Sequence, residues 1–303
     1  MNDKNHTPSL FSSYYQIENY FFTAISQRYY YVTDDVCAYF TGVESSGLNF
    51  LIVNKKNCHI DIEAVLQRGI HFFHTTECPF NIMIRSELID TKIKNKLNNE
   101  NFHIDDTSTV MQLNREDFPS SNLRNNVIYP QSLKLQHRDQ GGRPMSVDIL
   151  GDSANTRSQQ HGGFKDEEYI QCTDSCLIDW VTPLESAFSS TPTVMNQYQA
   201  RHQAAIDTKK DLVHFSLYAK QQPVCSLTLS IQKNIARLDD IGTKVEFQGQ
   251  GYASALIQHA LCYAKSRNIA HCFLDASNEG LSLYKRIGFS ALFEYSIFHR
   301  QQC

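Results

Sequence analysis

The chain has 303 residues, 41% of them apolar, and a formal charge of −4 with histidine neutral. That is length enough for two domains with a core each, while the mildly acidic balance and the lack of a basic run exclude the electrostatic footprint of a nucleic-acid-binding protein. The longest apolar runs, such as Phe50 to Val53, fall far short of the roughly 20 residues that cross a bilayer.

The polar start MNDKNHTPSLFSSYY lacks the apolar core of a signal peptide. A cytoplasmic location is therefore expected, with delivery by a non-classical secretion system as the alternative. Nine cysteines, an odd number, read as free thiols. Cys172-x-x-x-Cys176 has no second Cys/His pair at zinc-finger spacing, so no metal is expected. The twelve histidines are dispersed and read as structural or surface residues.

In chain order, the aromatic and apolar residues from Phe11 to Ala24 predict a helix packed on a core, and Arg28 to Phe40 reads as extended. Leu48 to Val53 reads as a strand, and Asp61 to Arg68 as a short helix closed by Gly69. After the break at Cys78-Pro79 come a buried strand, Phe80 to Ile84, a helix, Glu87 to Leu97, and an extended stretch, Phe102 to Leu113. From Pro119 to about Gln171 the composition shifts to Asn, Gln, Arg, Ser, Gly and Asp, which predicts a polar linker or mobile insertion. Within it, only short pieces such as Val147 to Leu150 are apolar enough to dock.

Beyond Cys172, helices are predicted at Pro183 to Phe188 and Val194 to Ala205. An antiparallel pair, Val213 to Ala219 and Val224 to Ile231, turns at Gln221-Gln222-Pro223, and Ile235 to Lys244 is a strand feeding a Gly-rich turn. A helix to Arg267, a strand Ala270 to Leu274, a short helix around Tyr284 and a last strand Ser290 to His299 complete the chain.

The Gly-rich turn, Gln248-Gly249-Gln250-Gly251-Tyr252-Ala253, organises this second half. Ala253, Leu256, Ile257, Ala260, Leu261 and Ala264 follow at the spacing of one buried helix face. Two glycines let the backbone bend and approach a ligand, and the first free N–H groups of the helix point into the same space, which is where a phosphate or pyrophosphate binds. A P-loop would need a Gly-Lys-Ser/Thr that is missing here. A dinucleotide fingerprint is closer, since Asp275 stands at about the distance of a ribose-binding acid, but Ser254 replaces the third glycine and too little chain follows.

The pattern Gln/Arg-x-x-Gly-x-Gly/Ala, in contrast, is matched in full from Gln248 to Ala253. Ile241-Gly242-Thr243 precedes it, and LDASNEGLSLYKRIGF, Leu274 to Phe289, follows with Leu283, Tyr284, Gly288 and Phe289 in the order Leu-Tyr-x-x-x-Gly-Phe. On these residues the sequence resembles the GNAT superfamily of acetyl-coenzyme A dependent N-acetyltransferases. The resemblance implies an α/β (α+β) fold, a mixed and mostly antiparallel twisted sheet flanked by helices.

Within the chain, helix Glu87 to Leu97 with Asn101-Phe102 and its strand repeats the layout of Leu281 to Ile287 with Gly288-Phe289 and the last strand. The pattern HFF…PFNIMI…NF…VMQL is also similar to the N-terminal half of some two-domain GNAT proteins. Tandem domains are therefore expected: a degenerate N-terminal copy at 1–118 without a cofactor loop, a linker at 119–171 and a catalytic domain at 172–303. One acetyl-coenzyme A site per chain follows.

By resemblance, the cofactor contacts fall at Ile241, Gly242, Thr243, Gln248, Gly249, Gln250, Gly251, Tyr252, Ala253 and Ser254. Ser277 stands where the family often has an Asn on the pantetheine, with Asn278 beside it. Gly242 is a natural place for the distortion of the family's splayed strand. Tyr284 matches the tyrosine that protonates the departing thiolate, and Asp239 or Asp240 is the expected base, the two lying on opposite faces of their strand. The implied reaction moves an acetyl group to a primary amine of a small molecule or a protein. A coenzyme A-binding module without catalysis is the competing reading.

Overall fold

The computed structural model describes residues 9–54, 61–76, 78–119, 137–138, 144–145 and 168–300. The expected linker, with the Val147 to Leu150 segment, lies almost wholly outside the described residues. The first half contains α1 (Leu10–Ile25), β1 (Arg28–Thr33), β2 (Val36–Phe40), β3 (Phe50–Val53), α2 (Ile62–His74), β4 (Asn81–Arg85), α3 (Thr91–Asn99) and β5 (Phe102–Asn114). A small ribbon, β6 (His137–Arg138) with β7 (Pro144–Met145), precedes the second half. That half runs β8 (Tyr169–Cys172), α4 (Leu177–Ala187), α5 (Pro192–Asp207), β9 (Leu212–Ala219), β10 (Gln222–Gln232), β11 (Ile235–Thr243), α6 (Tyr252–Ser266), β12 (His271–Ala276), α7 (Leu281–Ile287) and β13 (Ser290–Arg300).

Helix starts follow local chemistry. Ser9, Asp61, Asp90 and Thr191 each accept a backbone N–H with their side chains at the head of α1, α2, α3 and α5, and Pro192 opens α5. One expected helix end is corrected. Gly69 does not close α2, which runs on to His74; a Cβ on Gly69 would lie 2.4 Å from Leu51 Cδ1. The glycine is there so that the helix can press against β3. Helix α4 likewise starts earlier than expected, with Pro183 inside it, and the carbonyl of Asp179 that the proline cannot satisfy accepts from Ser216 Oγ at 3.3 Å.

The strands form one sheet in the order β1-β2-β3-β4-β13-β5-β12-β11-β10-β9-β8, antiparallel except for β3 with β4 and β11 with β12. Each parallel pair is joined through a helix, α2 or α6, so the two halves repeat one plan. Their last strands are exchanged: β13 lies between β4 and β5, and β5 between β13 and β12. Both halves reach that strand through a residue in the left-handed region, Asn101 at φ 63° and Gly288 at φ 117°. Separating the halves would therefore break the long β5–β13 ladder and two others.

On one face of the second half, α6 and α7 cover Leu227, Leu229, Leu238, Leu274 and their neighbours. On the other, α1, α4 and α5 bury Trp180, Tyr198, Phe273 and Tyr295. The N-terminal helix α1 thus packs with α4 and α5 under the second half's sheet. Among the described residues no helix is long and apolar enough to cross a membrane.

Candidate active site

Helix α6 begins at Gly251, which has φ +90°, and no side chain caps it. Gly249 is also left-handed, at φ +74°. A Cβ added at either would meet nothing within 4 Å, so crowding does not require these glycines; their backbone conformation does. Among the described residues the N–H groups of Gly249 to Ser254 find no backbone acceptor, and the first such bond of the helix runs from Ala255 to the Gly251 carbonyl. This uncapped, open helix start suits a diphosphate, which amides and the helix dipole would hold. The side chain of Gln248 turns back to the Thr243 carbonyl at 3.2 Å, and that of Gln250 to the Glu246 carbonyl at 3.3 Å. Tyr252 packs its ring inward and donates to Glu168 at 2.9 Å, so only the backbone of these residues faces the turn.

The strand that leads into the turn is opened on both sides. Its parallel pairing with β12 stops at Arg237 and Phe273, although β11 runs on to Thr243 and β12 to Ala276. The corresponding pair in the first half, β3 with β4, stays paired to Val53 and Ile84. On its other side, β11 bulges against β10: Thr228 faces Asp239 and Ser226 faces Gly242, leaving Asp240 and Ile241 outside the ladder.

The distorted residue is Asp240, at φ 54°, and not Gly242. Gly242 serves a different need, because a Cβ there would lie 2.8 Å from Leu184 Cδ2 and 3.0 Å from the Ala187 Cβ of α4. Thr243 is back in register with Cys225 and donates to its Sγ at 3.1 Å. The bulge also overturns the expectation that Asp239 and Asp240 face opposite ways. Both carboxylates reach the face covered by α1, α4 and α5: Asp239 accepts from Arg237 Nε, and Asp240 accepts from Tyr198 of α5 at 2.7 Å.

Each of these aspartates is about a tenth exposed. Burial pushes Asp239 up to about 7, against the pull of Arg237. Burial also raises Asp240, with the hydrogen bond from Tyr198 and the nearby Thr228 hydroxyl opposing it. Across the gap, Arg237 donates to Asp275 of β12 at 2.9 Å. Tyr14 and Glu18 of α1 complete this buried cluster, Tyr14 Oη lying 2.6 Å from Glu18 Oε1 and 2.9 Å from Asp275 Oδ1.

Tyr284 lies on α7 with its ring against Gly280, where a Cβ would come within 2.7 Å of the ring. Its hydroxyl has no hydrogen-bond partner among the described residues. Burial, then the Cys225 thiol, then Asp239, push the phenol up to about 12. Ser277 forms the turn into α7, its Oγ accepting from Gly280 N at 3.3 Å, and Asn278 donates to Asp106 of β5 at 3.2 Å. The structure therefore puts Tyr284 in the cluster under α6 and α7, within electrostatic reach of Asp239 on the opened strand, and turns the Asn278 side chain toward the first half.

Sequence reasoning missed Arg237, Asp275, Tyr14, Glu18 and Tyr198. Only Asp275 carried a signal, as an acid placed after the Gly-rich turn, and that signal pointed to a ribose.

Residues 211–291 match the family model described as "Acetyltransferase (GNAT) domain". A comparison with curated protein sequences gave no match. Among solved structures, the chain is similar to a GCN5-related N-acetyltransferase from Kribbella flavida, with TM-score 0.56, 10% identity and 95% of each chain covered. A functionally unknown conserved protein from Staphylococcus epidermidis aligns with TM-score 0.55 at 15% identity, over 89% of this chain and 92% of that one. A tandem GNAT protein from the clavulanic acid biosynthesis pathway aligns with TM-score 0.52 at 9% identity, over 88% of this chain and 79% of that one. At such identities the likeness speaks for fold, and the fold agrees with the match over 211–291. Residues 211–291 thus form an acetyltransferase (GNAT) domain, set in a fold that the chain shares with tandem GNAT proteins.

Proposed function

We propose that the protein is an acetyl-coenzyme A dependent N-acetyltransferase that acetylates a primary amine by direct attack on the thioester, with one site per chain, in the second half. The observation that carries this reading is the coincidence on one strand of three features: β11 leaves its parallel neighbour, bulges at Asp240, and leads into the uncapped start of α6. When bound, acetyl-coenzyme A supplies the thioester. The amides of Gly249 to Ser254 would hold its diphosphate, and the peptide groups around Asp240 and Ile241, outside the β10 ladder, would orient the carbonyl.

The acceptor arrives as an ammonium and must lose a proton before it attacks. Asp239 has both oxygens on Arg237 Nε, at 2.8 and 3.1 Å, whereas Asp240 Oδ2 makes no hydrogen bond among the described residues. Asp240 is therefore the carboxylate with capacity to take that proton. Tyr284, pushed up to about 12, stays protonated and would donate a hydrogen bond to the departing sulfur. Full proton transfer from it is uphill, since a thiol ordinarily ionises near ~8.5. The acceptor is a small-molecule or protein amine.

The competing reading, a coenzyme A-binding module without catalysis, is favoured by the Arg237 clamp on Asp239. A panel of primary amines at saturating acetyl-coenzyme A, scored for free thiol, separates the two. Amine-dependent thiol release is expected, and coenzyme A binding with no release from any amine would leave the binding module.

A further inference from the structure

Under the bulge, two buried histidines link Asp240 to a carboxylate near the surface. Asp174, in the turn between β8 and α4, uses Oδ1 to accept both the backbone N–H and the ring Nδ1 of His214, each at 2.8 Å. Its side chain is 35% exposed, so it keeps contact with solvent. His214 Nε2 lies 2.8 Å from His202 Nδ1, and His202 Nε2 lies 3.7 Å from Asp240 Oδ2. Among the described residues neither of those last two atoms has a hydrogen-bond partner, and both are buried.

The proton positions follow in sequence from Asp174. A carboxylate accepts, so His214 carries its proton on Nδ1; its Nε2 is then a bare acceptor, so His202 must donate from Nδ1. That leaves the lone pair of His202 Nε2 aimed at Asp240. Two acceptors face one another across the gap, and a proton on either side would close it.

We propose that Asp174, His214 and His202 are a proton relay for Asp240: Asp174 fixes both imidazoles as Nδ1–H tautomers, and His202 Nε2 takes up the proton that Asp240 removes from the acceptor ammonium. The proposal rests on the acetyltransferase reading with Asp240 as base. In the step, the O–H bond on Asp240 Oδ2 breaks and an N–H bond forms on His202 Nε2. The resulting imidazolium lies between the Asp240 carboxylate and, through His214, the Asp174 carboxylate. After the acetylated product leaves, the proton returns to Asp240 and to solvent by the same atoms in reverse.

Among the described residues the titratable and charged groups at the pair are Asp240 from β11, Tyr198 and Arg201 from α5, and Asp174, with Arg237 of β11 acting on Asp240. Helix α4 contributes the ring of Trp180, 4.4 Å from His202, and α1 that of Phe21, 6.2 Å away, both uncharged. Burial, with His214 and Arg201, lowers the pKa of His202, so the ring is neutral at rest and free to take a proton. Its charged form becomes favourable only with Asp240 ionised beside it. His202 and His214 are positioning residues here, acting on substrate through Asp240.

The test combines tautomer-sensitive nitrogen NMR on histidine-labelled full-length protein with pH profiles of kcat for wild type, Asp174→Asn and Asp174→Ala. In wild type both buried histidines should be Nδ1–H at neutral pH. Asp174→Asn keeps an acceptor for His214 and should preserve the tautomers, while its lost charge moves the acid limb of kcat to lower pH. Asp174→Ala should release the tautomers and lower kcat about tenfold or more, with coenzyme A affinity unchanged.

A His202 found as the Nε2–H tautomer, or an Asp174→Ala profile of wild-type shape and height whatever its melting temperature, would overturn the relay and leave the acetyltransferase reading standing. A wild type that binds coenzyme A but releases no thiol with any amine of the panel would remove both, because Asp240 would then have no proton to pass on.

Discussion

Arg237 and Asp275 meet at 2.9 Å where the strands that carry them have just parted: the β11–β12 ladder ends at Arg237 and Phe273, and the ion pair spans the first step of the gap. Both side chains are nearly buried, at 3% and 12% exposed, and Asp239 holds the same guanidinium from the other side. Tyr14, Phe21 and Phe22 of α1 lie within 6 Å of it. One cation thus ties the opened strands together and to the N-terminal helix.

Removing that cation leaves two carboxylates buried without it. Arg237→Met should cost about 3–5 kcal/mol, the usual penalty for breaking a buried pair from one side. Adding Asp275→Asn should return part of the loss. Urea unfolding midpoints of the single and double variants check both statements.

A second consequence concerns protons. Tyr14 contacts Glu18 and Asp275, and Tyr295 contacts Glu18 at 2.9 Å and Asn54 Oδ1, four oxygen pairs with two phenolic hydrogens between them. Asn54 Nδ2 donates to Glu18 Oε2 at 2.7 Å, which fixes its amide so that Oδ1 can only accept from Tyr295. A proton on Glu18 supplies a third hydrogen. Burial, with Asp275 adding, accordingly pushes Glu18 up to about 7.

A carboxyl group raised on folding stabilises the protein fully below its unfolded pKa, and that contribution is lost as pH rises through the folded value. Between about pH 4.5 and 7, then, Glu18 should make the wild type less stable as pH rises. Glu18→Gln cannot ionise, and its advantage over wild type should grow across that window, to the order of 2 kcal/mol by pH 8. Denaturation series at pH 5 and pH 8 test the sign.

Gly251 has open space around it and a left-handed backbone. Gly251→Ala should therefore cost only the strain, ~1–2 kcal/mol, in the free protein. Its new methyl and any shift of the first amides of α6 should weaken coenzyme A at least tenfold. The ligand-induced rise in melting temperature, compared between variant and wild type, reads both effects.

Tyr284 tests the chemistry apart from binding. Tyr284→Phe removes one hydroxyl that has no hydrogen-bond partner among the described residues, so stability should hardly change. Turnover should fall by roughly 10²-fold with little change in coenzyme A affinity; unaltered turnover would take Tyr284 out of the reaction.

Much of this was legible in the sequence. The Gly-rich turn, the buried face of α6 and the Leu-Tyr-x-x-x-Gly-Phe end of α7 are local patterns in which each residue's neighbours in sequence are its neighbours in space. The exchange of β5 and β13 was not legible, because alternating burial says which face of a strand is covered and nothing about which strand lies beside it. The bulge hid for another reason: glycine is the usual mark of a left-handed residue, and here aspartate takes that conformation while Gly242 makes room for α4. His202 and His214, dispersed in sequence, meet only because the turn after α5 folds β9 back beside the helix. Gly69 read as a helix end, since its contact with Leu51 comes from a strand well upstream.

The central claim is that the start of α6 holds coenzyme A. Isothermal titration of the full-length protein with coenzyme A tests it most directly, with Gly251→Ala alongside. The account predicts one site per chain, weakened at least tenfold by the substitution. No binding by folded protein, or binding that the substitution leaves untouched, would contradict it.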